Sequence, residues 1–586
     1  MTPYDETPCD ETPYDETRAS RRIEVRYAAP AGGPGDGSGP LTLGQDNMIR
    51  CIRRDAPEQI NKESLWPVPD GTSVPAGLAA LRRLVERHES LRTSFPTGPG
   101  ADGFPERQVV HPEGRFTVTV VEAGNRSDAQ LDALAAALGH ADVAVPVDLA
   151  AAPRLRVTLV ADGERLLRLV AVVCHAGADG AATALLIQDW LALAAGKDLP
   201  PVTAPTPLQI ADAERSAQGR RKSVTALRHW ARILATGPQV VFADARITGR
   251  PRDHSAVLVR SRSAAEDLAA VCRRTGASPS VVLLAAFAAL VAHRAGRTEL
   301  ALSALSANRQ RAALVDHVGT LAQDALILLD TGAADLDQLI GRAKSASLSA
   351  YWHSTLDAER VWRIIEDCAH LRGSRFPRQV VVNDLSLTIP AAVADAQPAA
   401  AADPELTRVP APPLPVRLMF TILRISGSLD FALIACPQVL DPDETDRFAR
   451  ALFAVLAAAA RGPVPLDALP GVADVPTPDR NGEWHLIDGT WIDLAAVRAL
   501  LGTALGARTD VELAVDGGRL TATLTTADRE LTPAAAHHAV VAVLADRDTA
   551  MAPQHYVVRC TGPGAETVAS GGGRDPDIAA RQAVLT

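Results

Sequence analysis

The stretch "LLRLVAVVCHAGADGAATALLIQDW" (166–190) decides how the chain is read. An apolar run of strand character stops at Cys174-His175. Gly177, Asp179 and Gly180 follow, and then "AATALLIQDWLALAAG" (181–196) takes up helical spacing. Successive strand residues point to opposite faces. If the strand continues through them, Cys174 and His175 cannot form a Cys–His nucleophile pair. Cysteine is among the most buried residue types, so Cys174 belongs on the core side and His175 faces a gap. Gly177 and Gly180 let the chain turn sharply, and the helix starting near Gly180 aims free N–H groups back toward the turn. Such groups stabilise a developing oxyanion. Asp179 sits between the glycines, where pairing with an arginine would hold the loop. A single histidine before a Gly-rich turn is more often structural than catalytic; here several elements converge on it.

At 586 residues the chain is too long for one hydrophobic core, and three or more compact units are expected. Hydrophobic residues make up 47% and aromatics only 4%, which predicts a soluble protein with aliphatic cores. A net charge of −10 argues against nucleic acid or an anionic membrane as partner. The seven cysteines lie far apart with no CxxC pair. That argues against a zinc site or a disulfide framework and for a reducing cytoplasm. The acidic, polar N-terminus does not read as a signal peptide. The most apolar helix, "SPSVVLLAAFAALVAHRAG" (278–296), is capped by Ser278 and Pro279; shorter than a membrane span, it reads as a buried helix.

Four regions are expected. Residues 1–38, which open on a repeated "TPYDET" unit, read as a disordered acidic tail. Residues 39–215 and 216–472 read as two lobes, with the polar stretch 197–222 linking them. Residues 480–586 read as a small α+β unit. Strands are expected at 107–124, 153–175, 255–261, 299–309 and 415–437, and helices at 77–90, before a strand-like "LRTSF" (91–95), and at 128–141, 263–275 and 443–462. The Pro-bearing segment 389–414 reads as loop.

The Cys174–Gly180 segment resembles the HHxxxDG signature of condensation domains from nonribosomal peptide synthetases, within the chloramphenicol-acetyltransferase-like superfamily. Other stretches agree in order. "GPLTLGQDNM" (39–48) resembles the opening motif, and "RHESLRTSF" (87–95) is close to RHExLRTxF. "VDLAAAPRLRVTLV" (147–160) resembles FDLxxGPLLRAxLL, and "LALSALSANRQRAALVDHVGTLAQDALILL" (300–329) resembles the ANR strand with its following VGxFxNT segment. The similarity covers about residues 39–470. It implies an α/β (α+β) fold of two lobes set as a V with a tunnel between them. Carrier-bound phosphopantetheine arms would bring an acyl thioester and an amine to His175, which would orient or deprotonate the amine or stabilise the tetrahedral intermediate. The Gly180 N–H becomes the oxyanion donor. Asp179 becomes structural, paired with Arg309 of ANR or Arg92 of RHESLRT. Cys174 replaces the first His of the motif, which the family uses structurally. Gln323 or Asp324 stands near the replaced Asn of VGxFxNT, and no aromatic follows Gly319.

The resemblance implies no metal and no bound cofactor, carrier proteins supplied in trans as partners, and an amine acceptor. Ester formation with an alcohol, a catalytically silent carrier-docking scaffold, and transfer from soluble coenzyme A are the competing readings. Residues 480–586 resemble the small C-terminal subdomain of adenylation enzymes, through "NGEWHLIDGTWIDLAAVRALL" (481–501) and "ETVASGGGRD" (566–575). The catalytic lysine is missing, since no lysine follows Lys344; the resemblance therefore implies a relic or docking module. His537 and His538 read as surface residues without further ligands at usable spacing. Trp190, Trp230, Trp352 and Trp362 read as packing, Ser303 and Ser306 as alternating strand residues, and "GRRKS" (219–223) as a solvated linker.

Overall fold

In the computed structural model the described residues are 20–29, 37–100, 102–388, 403–411, 414–561 and 567–586. They fall into two compact units. The first takes residues through Ser38, Asn61–Gly177 and Leu185–Val202; the second takes Gly39–Ile60, Ala178–Ala184 and everything from Thr203.

The first unit is built on a five-stranded sheet of β1 (Ser20–Ala28), β2 (Lys62–Trp66), β3 (Glu113–Glu122), β4 (Leu155–Asp162) and β5 (Arg165–Val173). Their spatial order is β1-β3-β4-β5-β2. β4 and β5 form the expected hairpin, and β3 runs parallel to β4. The last five residues of β5 are all buried. This is why the run before Cys174 is uniformly apolar rather than alternating. β1 corrects the expectation of a disordered tail over 1–38. Ile23, Val25 and Tyr27 alternate with charged residues, and the strand pairs with β3 from Ser20↔Val121 to Ala28↔Glu113. The acidic repeat at 1–17 and residues 30–36 lie outside the described residues.

The second unit carries a seven-stranded sheet of β6 (Ser255–Ser261), β7 (Glu299–Ser306), β8 (Gln323–Asp330), β9 (Val380–Asp384), β10 (Glu405–Pro410), β11 (Leu418–Arg424) and β12 (Leu429–Ala435), in the order β8-β7-β9-β11-β12-β6-β10. β10 lies inside the segment expected to be loop. It is short and ends in Pro410, and it forms because β6 offers it a free edge. The helix Pro279–Ala295 is buried along almost its whole length, and Phe287 stacks on Phe420 with ring centroids 4.9 Å apart. Gly296 closes it at φ 60°, a left-handed turn that favours glycine. Among the described residues no single helix is long and apolar enough to cross a membrane.

Two expected boundaries move. Residues 39–60 and 203–215 belong with the second unit, because the helix Leu43–Arg54 is tied there. The Leu43 N–H donates to Glu214 at 2.8 Å, and Gln323 Nε2 reaches the Leu43 carbonyl at 3.4 Å. The expected linker over 197–222 is largely helical: Pro207–Arg215 is followed by Ala217–Thr236, which contains Gly219–Ser223.

Residues 480–586 fold as a hairpin of β13 (Trp484–Ile487) and β14 (Thr490–Asp493), followed by a four-stranded sheet. That sheet contains β15 (Asp510–Asp516), β16 (Arg519–Thr526), β17 (His555–Cys560) and β18 (Thr567–Gly571), with helices Leu494–Leu505 and Pro533–Ala542. This segment clusters with the second unit rather than standing alone. Asp548 is held by Arg417 at 2.8 Å, Arg372 pairs with Asp488 at 2.7 Å, and the Ala552 N–H donates to the Gly373 carbonyl at 2.8 Å. His537 corrects the surface reading. It is fully buried, its Nε2–H donates to the His370 carbonyl at 2.7 Å, and its Nδ1 accepts from the Tyr556 hydroxyl at 3.2 Å. His538 is exposed. Trp190 and Trp230 are buried, whereas Trp352 is 74% exposed and does not fill a core position.

Candidate active site

β5 ends at Val173, so the strand does not run through His175 as the parity reading required. The contrast in burial survives for a different reason. Cys174 is the last residue on the strand ladder, its N–H donating to the Arg154 carbonyl at 2.9 Å. A turn then closes, with the Gly177 N–H on the Cys174 carbonyl at 2.8 Å. Cys174, Ala176 and Ala178 are buried, and His175 alone in the turn is half-exposed. The chain leaves the first unit after Gly177.

In the second unit, Asp179 is 1% exposed and fully engaged. One oxygen accepts the Ala182 N–H at 2.9 Å and caps the helix Gly180–Ala194. The other accepts Arg309 Nη1 at 2.8 Å and the N–H groups of Leu321 and Ala322 at 2.8 and 3.0 Å. Burial pushes the carboxyl up, but the Arg309 charge and these hydrogen bonds outweigh it and hold the group below the usual carboxylate range. Arg309 also donates to the carbonyls of Ala307, His317 and Gly319. The pair therefore fastens the helix start to the loop before β8. Of the two arginines the sequence left open, Arg309 is the partner. Arg92 stays in the first unit, donating to the His111 carbonyl at 3.0 Å.

Gly180, first residue of its helix, is exposed. A Cβ at Gly180 would meet only Leu385, at 3.8 Å. Gln323 is structural: it donates to the Leu356 carbonyl at 2.8 Å and accepts the Leu356 N–H at 3.0 Å. Asp324 pairs with Arg378. Ser303 and Ser306 are both buried, and Ser306 accepts from Ser354 at 2.9 Å.

Two residues of the neighbourhood escaped sequence reasoning. Asn308, at φ 54°, bonds the Leu321 and Ser354 carbonyls and shapes the loop that meets Asp179. Its signal was the middle letter of ANR. Arg154, opposite Cys174, is 1% exposed; its signal was a charge in a run otherwise patterned for a core strand.

The Condensation domain family model matches residues 78–463. CymA of Salinispora arenicola, a probable non-canonical nonribosomal peptide synthetase, is 31% identical over 349 residues, covering 55% of this chain and 4% of its own length. Tyrocidine synthase 3 of Brevibacillus parabrevis is 26% identical over 294 residues, covering 48% of this chain and 4% of its own length. The chain thus spans a small fraction of the curated relatives it matches. Among solved structures, SgcC5 from Streptomyces globisporus aligns with a TM-score of 0.56 at 20% identity, over 73% of this chain and 100% of that one. The X-domain solved in complex with OxyB from teicoplanin biosynthesis aligns with a TM-score of 0.55 at 22% identity, over 75% and 97%. These likenesses show the fold, and the family model spans more than half of the chain: it belongs to the condensation-domain family.

Proposed function

We propose that the chain joins a carrier-bound acyl or aminoacyl thioester to an amine, as a free-standing condensation enzyme of nonribosomal peptide biosynthesis. The amine nitrogen attacks the thioester carbon, the C–S bond breaks, and the phosphopantetheine thiol leaves. His175 takes the proton from the amine and passes it to the departing thiolate, or holds the amine in line for attack. The N–H of Gly180, an exposed residue at the helix start, donates to the oxyanion of the tetrahedral intermediate. Asp179 and Arg309 act by fixing the helix start that presents this N–H. The carrying observation is that His175 is the one half-exposed side chain on a turn of buried neighbours.

Carrier proteins act in trans in this reading, and their phosphopantetheine arms are substrate rather than resident cofactor. The C-terminal segment serves as a fixed docking module. The buried Arg417–Asp548 pair, the half-buried Arg372–Asp488 pair and the lack of any lysine beyond Lys344 support this role over adenylation.

The test is mass spectrometry of acyl-loaded carriers incubated with the full chain and an amine. His175→Ala is expected to lower product by about 10²–10⁴-fold. Equal product from wild type and variant overturns the assignment. An alcohol offered in place of the amine distinguishes ester formation, and coenzyme A thioesters without carrier distinguish soluble transfer. A second reading, a silent scaffold, is favoured by Cys174 in place of the motif's first His and by the X-domain being captured with OxyB. It predicts carrier binding with no product from either protein.

A further inference from the structure

Arg154 is among the largest fully buried side chains of the molecule. Its Nη2 donates to the Asp148 carbonyl at 2.8 Å, and its guanidinium lies 5.7 Å from the Phe95 ring centroid. Among the described residues, its Nε and Nη1 have no hydrogen-bond partner. Among those residues no carboxylate pairs with it either, and its charge falls on His111, whose pKa is lowered by burial and then by Arg154 and Arg92. A buried cation so poorly satisfied costs stability. The motif that "VDLAAAPRLRVTLV" resembles carries leucine at this position, which would carry no such cost.

The register shows what the arginine touches. Leu155 faces Val173, so Arg154 faces Cys174, and directly opposed residues share one face of the sheet. The Arg154 carbonyl accepts the Cys174 N–H, while the Arg154 N–H is fixed to the Leu91 carbonyl at 2.7 Å. Its stem lies directly under the turn: a Cβ on Gly177 would come within 2.6 Å of Arg154 Cβ and 2.8 Å of Cγ. Both ends of the Cys174–Gly177 turn therefore rest on this one residue. The chain is also unusual twice at the same spot, with a small Cys where the motif has His and a large Arg where it has Leu.

We infer that Arg154 is a positioning residue for His175, matched to Cys174: the long stem fills the space beside the small cross-strand cysteine and sets the height of the turn that carries the imidazole. This rests on the proposed role of His175 and adds to it a compensating pair. Because leucine removes an unsatisfied buried charge, Arg154→Leu separates positioning from folding. Stability holds or rises while His175 moves.

The experiment uses the full chain and the variants Arg154→Leu, Cys174→His, the double variant, and His175→Ala. Histidines are labelled with carbon-13 at Cε1, and the His175 resonance is assigned by its loss in His175→Ala. Arg154→Leu is expected to shift that resonance and keep the melting temperature at or above wild type. It should lower kcat by about a hundredfold with KM changed by less than about threefold. Adding Cys174→His is expected to return the resonance and to bring kcat within about threefold of wild type. An unmoved resonance in Arg154→Leu overturns the inference. So does a joint fall of melting temperature and kcat that the second substitution fails to rescue. If no protein forms product, the functional reading falls, while the resonance still decides whether Arg154 positions the ring.

Discussion

Asp179 shows how much one side chain can hold. Its carboxylate answers four donors, and removing its charge leaves the Arg309 guanidinium, 8% exposed, without a counter-ion. Asp179→Asn is therefore expected to cost about 3–5 kcal/mol of stability, read as a fall in the denaturant midpoint. Because the carboxyl titrates below its unfolded value, its contribution is fully present above the ordinary aspartate pKa. The contribution is lost as pH falls toward the depressed value, and the variant should show a flatter acid limb. Gly177 offers a second test at this scale. Gly177→Ala forces a Cβ against the Arg154 stem, and turnover is expected to fall at least about tenfold while carrier binding persists. The importance of Asp179 and Gly177 could be read from their place in a Gly-rich turn after a strand. The donors at Leu321 and Ala322 could not, because backbone N–H groups leave no trace in residue type.

At the scale of elements, periodicity is a faithful guide wherever an element makes its own pattern. The helix Pro279–Ala295 was readable from Ser278, Pro279 and its apolar run, and its core role follows from Phe287 packing on Phe420 and Phe448. Phe287→Ala is expected to cost about 3–5 kcal/mol, visible as a lower melting temperature of the second unit. At the helix Leu43–Arg54, Thr42 and Gln45 form a reciprocal capping box. Thr42→Ala is expected to cost about 1 kcal/mol by the same measurement. β10 and β1 escaped, each for the same reason. An edge strand is specified by the partner offering it hydrogen bonds, and its own short alternation is too weak a signal. The end of β5 escaped for the opposite reason: the apolar run continues through Cys174, past the last strand residue, Val173.

For the molecule as a whole, the seat of the C-terminal segment is the main finding beyond sequence. His537, buried between His370 and Tyr556, is held neutral. Burial first, then the Arg574 charge, lower its pKa from 6.5 to about 4. The unfolded chain takes up the proton at higher pH than the folded one. The contribution is therefore complete above 6.5 and lost as pH falls from there to about 4. Calorimetry across this window should show a falling melting temperature that His537→Leu flattens. Legible without any structure were the elements that pattern their own residues and the order of the condensation motifs. These are local properties, fixed by spacing and by side-chain chemistry. Long-range packing settled that Asp179 meets Arg309 rather than Arg92, that residues 39–60 belong with the second unit, that a turn rather than strand parity separates Cys174 from His175, and that Arg154 lies under that turn. Those outcomes depend on contacts between residues far apart along the chain, which no local pattern encodes and which packing alone selects.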